Sequence, residues 1–167
     1  MNEIKFKGKP IHVTGSFPKM GSIAPSFELV SQDLSTKSLS SFEDKNKILN
    51  IFISLDTPVC SKSMHAFNAK ASAITDVVII NISMDLPFAA SRFCKAENLE
   101  NVITLSAFRS SFPEDYGVNI TDGALKGLTA RAVLVLGKDN KVLHSELVSE
   151  ITQEPDYEAA ISSLKSV

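Results

Sequence analysis

Two residues set three apart carry the first chemistry this chain offers. In "LDTPVC" Thr57 precedes Cys60, with Pro58 between them. The period then turns helical, with Met64, Phe67, Ala71 and Ile74 on one stripe. Taking Thr57 as the N-cap puts Pro58 at the first helical position, where its missing N–H costs nothing, and Cys60 at the third. In a capping box that third place belongs to a glutamate, whose carboxylate sits among unpaired amides at the positive end of the helix. A thiolate at Cys60 is the anion this position favours. A helix end contributes about 0.3–1 kcal/mol, and up to ~2 when partly buried, which falls short of what a full switch from thiol to thiolate needs. A cation or further donors must come from elsewhere in the fold. The competing reading is a packed, inert cysteine at a helix start.

The second cysteine, Cys94, stands in "FAASRFCKAEN" beside Phe93. It reads as a core filler or as a resolving thiol that attacks an oxidised Cys60. A bond between them needs Cα atoms within about 7 Å. On two separate helices, one of them, more readily that of Cys94, would then have to unwind. Arginine is scarce: Arg92, Arg109 and Arg131 stand against 14 lysines. Arg131 begins the apolar run "AVLVL", where a sheet end can face a neighbouring turn. A fork-shaped, permanently charged donor there suits a thiolate and a substrate oxygen; an ordinary strand-end charge is the other reading. His12, His65 and His144 show no metal-like spacing with the cysteines, and there is no C-x-x-C, so no metal or cofactor is expected. A cysteine hydrolase using one of these histidines stays open on spacing alone. Asp56 and Asp85 read as caps or solvated loop charges.

The elements that must position these groups follow from period and punctuation. "EIKFKGKPIHV" reads as an N-terminal β-hairpin with Gly8-Lys9 as its turn. Residues 26–42 read as two short strands, or a strand and an irregular arm, around Gln32-Asp33. "KILNIFIS" (47–54) and "VVIINIS" (77–83) are apolar enough for strands buried on both faces. Residues 85–98 read as a helix, with Asp85 as a cap and Pro87 in the first turn. "NVITLSA" reads as a short strand, followed by a helical piece ending near Tyr116-Gly117. Residues 130–148 form a hairpin around "GKDN", and Pro155 to Lys165 an amphipathic helix presenting Tyr157, Ala160, Ile161 and Leu164. Buried strands alternating with helices predict right-handed crossovers and an α/β fold with a mixed central β-sheet flanked by helices. A thioredoxin-like fold has this order, as do other α/β domains.

Composition bounds the function classes. The chain has 167 residues, 44% apolar and 22% charged, with net charge −2. That suits one domain over residues 1–167 with a real core. The scattered basic residues give no footprint for nucleic acid. No apolar run is long enough for a membrane span, and the N-terminus lacks the apolar core of a secretory signal. Two cysteines make no disulfide scaffold, so a reducing, cytoplasmic location is the default expectation.

Four stretches, "LDTPVC", "SMDLPFAASRFC", "DGALKGLTARAVLVL" and "LVSEITQEPDYEAAISSLK", in this order and spacing, resemble the thiol peroxidase branch of the atypical two-cysteine peroxiredoxins. The likeness covers nearly the whole chain. It implies a thioredoxin-like fold that reduces hydrogen peroxide and organic hydroperoxides with electrons from thioredoxin, and a homodimer. It implies Cys60 as the peroxidatic cysteine, Thr57 as its hydrogen-bonding partner, Arg131 as the activating cation, and Cys94 as the resolving cysteine of the same chain. The family pattern Pro-x-x-x-Thr-x-x-Cys has Ile53 in its first place here, and relatives often carry arginine where His65 stands. A redox sensor that uses the same switch with little turnover is the alternative function, and a binding domain with inert cysteines a third.

Overall fold

Strands form where β-branched and apolar residues run together, and helices where the period lengthens. In chain order, the computed structural model, which describes residues 1–99 and 102–165, contains β1 (Asn2–Phe6), β2 (Lys9–Thr14), β3 (Glu28–Ser31), β4 (Thr36–Ser38), a 3-10 turn (Leu39–Phe42), β5 (Asn46–Ile51), α1 (Pro58–Ala71), β6 (Val77–Ser83), α2 (Pro87–Ala96), β7 (Ile103–Ser106), α3 (Phe112–Asp115), β8 (Asn119–Ile120), β9 (Ala132–Leu136), β10 (Val142–Leu147) and α4 (Tyr157–Lys165). Asn101, the first residue of the strand expected in "NVITLSA", lies outside the described residues.

Seven strands make the main sheet, in the order β10-β9-β5-β6-β7-β3-β4. β5, β6 and β7 run parallel, joined by α1 and α2; β9, β10, β3 and β4 pair antiparallel around them. The expected mixed sheet is therefore present. Alternation along β9 decides which face each side chain serves. Ala132, Leu134 and Leu136 join Leu49, Ile51, Ile80 and Ile82 in one buried cluster. Val133 and Val135 join Ile48 in the other, beneath Phe67 and Ala71 of α1 and Ala160, Ile161 and Leu164 of α4. Each fully buried aliphatic side chain of this kind contributes about 1.5–3 kcal/mol relative to leaving it exposed. No helix among the described residues is long and apolar enough to cross a membrane.

The N-terminal hairpin forms a second sheet, β1-β2-β8. Its turn is Lys7-Gly8 rather than the expected Gly8-Lys9, because Phe6 pairs with Lys9 and leaves two residues to reverse the chain. Both have positive φ (51° and 78°), the conformation a two-residue hairpin turn of matching twist requires. The hairpin edge also holds the segment after β10. Lys5 N–H donates to Ser149 O at 2.7 Å, and Ile151 N–H to Lys5 O at 2.9 Å. Between them the Glu150 carboxylate accepts from the amides of Gly8 (2.9 Å), Lys7 (3.1 Å) and Thr152 (3.2 Å), and from the Thr152 hydroxyl (2.9 Å).

These donors, the Gly8 amide foremost, hold the Glu150 pKa down at about 2. The folded value lies below the ordinary ~4.3, so its stabilising effect is present above that pH and is lost as pH falls towards 2. Glu150→Gln should therefore unfold at lower urea than the parent at pH 7, with the gap closing between about pH 4.5 and 2.5. A gap independent of pH would show that the charge on Glu150 contributes nothing.

Candidate active site

The carboxyl end of β5 is where the chain leaves the sheet and turns into α1. Register brings Arg131 there: β9 runs antiparallel to β5 with Ile51 opposite Ala132, so the residue before Ala132 lies beside the start of the β5–α1 loop. Thr129 fastens the same corner, its hydroxyl donating to Phe52 O at 2.6 Å. Arg131 lies an even number of residues from Val133 and Val135. Its side chain therefore rises on the α1 face.

There the guanidinium meets the thiol. Arg131 Nη2 donates to Cys60 Sγ at 3.2 Å, and Nε donates to Ile151 O at 2.8 Å. Both side chains are closed off, Cys60 at 0% and Arg131 at 2% exposure. Nη1 is buried and has no hydrogen-bond partner among the described residues. A buried cationic donor left over is costly unless something accepts from it. A permanent positive charge thus stands against the sulfur in the first turn of α1. Strand-end solvation, the other reading of Arg131, does not describe this residue.

Thr57 is the N-cap and Pro58 the first helical residue of α1, as expected. Its hydroxyl does not cap, however. It donates to Ser54 O at 2.9 Å, inside the turn that Thr57 N–H also closes onto Ser54 O at 3.2 Å. The tight turn spends the hydroxyl proton on a carbonyl, leaving its lone pairs to accept. The first turn of α1 is also tied down from below. Ser63 Oγ donates to Cys60 O at 2.9 Å and receives Asn50 Nδ2 at 3.3 Å.

Cys94 lies on α2, 3% exposed, and both cysteines are free thiols. Gln32 Nε2 donates to Cys94 Sγ at 3.6 Å and to Thr104 Oγ1 at 2.7 Å. Burial pushes the Cys94 thiol up against these contacts. A cleft of about 420 Å³ runs between the first turn of α1 and the later turns of α2, lined by Thr57, Pro58, Ser61, Arg92, Phe93 and Glu97 among others. His65 bridges the same two helices, its Nε2 standing 3.4 Å from Glu97 Oε2. Ile53 is buried in the main apolar cluster.

Three groups beside the site have partners that the sequence reading does not name. Asp85 is not the cap of α2: that position is Leu86, with no side-chain cap. Instead its carboxylate accepts from Ser54 Oγ, Leu55 N and Ser83 Oγ, at 2.8, 2.8 and 2.7 Å. Ile151 supplies a backbone oxygen, which no side-chain pattern reveals. Glu154 takes Tyr157 Oη at 2.9 Å and Lys62 Nζ at 3.1 Å. The Tyr157 hydroxyl, the Lys62 ammonium and, more weakly, the Arg131 charge hold the Glu154 carboxyl below its usual range. Tyr157 packs edge-on against Phe67, ring centroids 5.0 Å apart. The repeated acids of "EITQEPDY" are the one sequence signal that this segment closes over something charged.

Among the described residues no group of three or more His, Cys, Asp or Glu is arranged to hold a metal. The geometry is that of a shielded thiol under a guanidinium, able to act as a nucleophile toward a small polarised molecule.

The redoxin family pattern matches residues 19–161. The thiol peroxidase of Mycobacterium tuberculosis strain H37Rv is 49% identical over 164 residues, covering 98% of this chain and 99% of that one. Among solved structures, a peroxiredoxin-like protein from Aquifex aeolicus is 40% identical with TM-score 0.92, covering 98% and 96% of the two chains. A thiol peroxidase from Chromobacterium violaceum is 26% identical with the same TM-score and coverage.

Proposed function

The chain belongs to the redoxin family and reduces peroxides through a thiol, and we propose that Cys60 is that thiol, with Arg131 and Thr57 holding the peroxide and Cys94 resolving the product. The observation that carries this is the Arg131 guanidinium on Cys60 Sγ with its Nη1 still to be paired.

The Cys60 thiolate attacks one oxygen of ROOH. The S–O bond forms as the O–O bond breaks, the leaving oxygen takes a proton to give ROH, and sulfenic acid remains. Arg131 sets its positive charge against Cys60 Sγ and offers Nη1 to the oxygen that gains charge. The Thr57 hydroxyl, its proton held by Ser54 O, accepts from the peroxide O–H. Cys94 Sγ then displaces water from the sulfenic acid and an intrachain disulfide forms. A thioredoxin-type dithiol reduces it by exchange, becoming oxidised itself. Both cysteines are buried on separate helices, so the second step draws on local opening of one of them, more readily α2. The reading extends to hydrogen peroxide and organic hydroperoxides as substrates, thioredoxin as reductant, a homodimer, a cytoplasmic location and one domain across residues 1–167.

Cys94→Ser tests the pairing. It should consume one equivalent of peroxide at the parent rate, then stall or pass to sulfinic acid with further peroxide. Sustained turnover with thioredoxin and its reductase would remove Cys94 from the mechanism.

A further inference from the structure

The two helices that carry the cysteines share a weakness and a fastening. Neither α1 nor α2 has a side-chain hydrogen bond at its N-cap, an omission that weakens a helix end. One half-buried carboxylate sits between their starts. Asp85 Oδ1 accepts from Ser54 Oγ, and Oδ2 from Leu55 N–H and Ser83 Oγ. Ser54 and Leu55 lie in the loop that leads to Thr57, the N-cap of α1. Asp85 lies two residues before Pro87, the first residue of α2. The same short segment is pinned to β7, where Ser106 Oγ donates to Asp85 O, and Ser83 Oγ receives Asp85 N–H at 3.2 Å.

We propose that Asp85 is a positioning residue for the resolving step: its carboxylate latches the β5–α1 and β6–α2 loops together and sets how often the cysteine-bearing segments open for Cys94 to reach oxidised Cys60. This rests on the Cys60–Cys94 reading above. Attack on peroxide proceeds from the closed arrangement, where Arg131 touches Cys60. Resolution proceeds from an opened minor state. Weakening the latch tenfold multiplies a rare open state by about ten while barely reducing the closed one. The step that competes with resolution is a second peroxide converting the closed sulfenic acid to sulfinic acid, with release of another ROH. The latch therefore fixes the peroxide concentration at which the enzyme inactivates.

Asp85→Asn keeps the size but loses the charge that three donors face; one charge-assisted hydrogen bond of this kind accounts for about tenfold. The test compares the parent, Asp85→Asn and Ser54→Ala, the last removing a single donor and serving if the first fails to fold. Reduced protein is mixed with hydrogen peroxide and followed by stopped flow and intact mass. Disulfide formation should quicken about tenfold in Asp85→Asn and less in Ser54→Ala. The peroxide concentration giving half sulfinic acid should rise by the same factors, while attack by the first equivalent changes less than twofold. A purely structural defect would slow attack and resolution together, and that result, or an unmoved sulfinic threshold, overturns the latch. A parent chain that never loses the mass of two hydrogens fails earlier, at the Cys60–Cys94 pairing itself. A parent that forms the disulfide beside unaltered variants overturns only the role of Asp85.

Discussion

Cys60→Ser should abolish peroxide consumption, lowering kcat/KM by at least about 10⁴-fold, the order expected when the nucleophile of a catalytic unit is removed. Serine keeps the volume, so the closed site should survive. Its hydroxyl is a weak nucleophile, and among the described residues the partner recorded for the Cys60 side chain is a cation, not a base. The remaining thiol offers no substitute. Cys94 is buried, and that burial pushes its thiol up, so little of it is the reactive thiolate at neutral pH. The measurement is peroxide loss in a coupled thioredoxin assay, with intact mass alongside. Full turnover by Cys60→Ser would end the proposed chemistry, and a disulfide appearing without Cys60 would show that the pairing is wrong.

Arg131→Met should cost about 10²–10³-fold in the rate of first attack, the loss typical when a preorganised donor at a developing charge is removed (about 2.7–4 kcal/mol). Three donors are at stake. Nη2 faces Cys60 Sγ, Nε holds Ile151 O, and Nη1 has no hydrogen-bond partner among the described residues. Arg131→Lys separates charge from shape. A lysine restores the positive charge but not the planar fork, and it cannot serve the thiol and Ile151 O together. It should recover about tenfold of the loss and no more. Single-turnover stopped flow at neutral pH reads both effects. An unchanged rate in Arg131→Met at neutral pH would leave the contact as packing alone.

The pattern of the folded chain is largely present in the order of residues. β6 occupies Val77–Ser83, as the apolar run indicates, and the buried Ala160, Ile161 and Leu164 of α4 match the predicted face. The first turn of α1 falls where Thr57-Pro58 places it. These are local facts, fixed by period, punctuation and the special backbone of proline. The relation of Cys60 to Arg131 spans 71 residues. Residue type suggests it, but only the fold establishes it. It depends on β9 lying antiparallel against β5 in one register, and a slip of one residue would turn the arginine to the other face.

Where expectation and structure differ, a side chain has found a partner that local rules cannot name. Aspartate before a helical run ordinarily caps it, so those rules give Asp85 to its own helix. The fold presents it instead with Ser54 and Leu55 from the neighbouring loop. Thr57 holds the cap position yet gives its proton to Ser54 O, which the turn before α1 brings to 2.9 Å from the hydroxyl. By itself, then, the sequence determined which segments are strands and helices, that Cys60 starts a helix, and that help from another charge was required. The tertiary structure decided which charge arrives, which backbone oxygen steadies it and which carboxylate joins the two cysteine-bearing loops. Elements follow from interactions over a few residues, whereas hydrogen bonds between them exist only once strand register has set the meeting points.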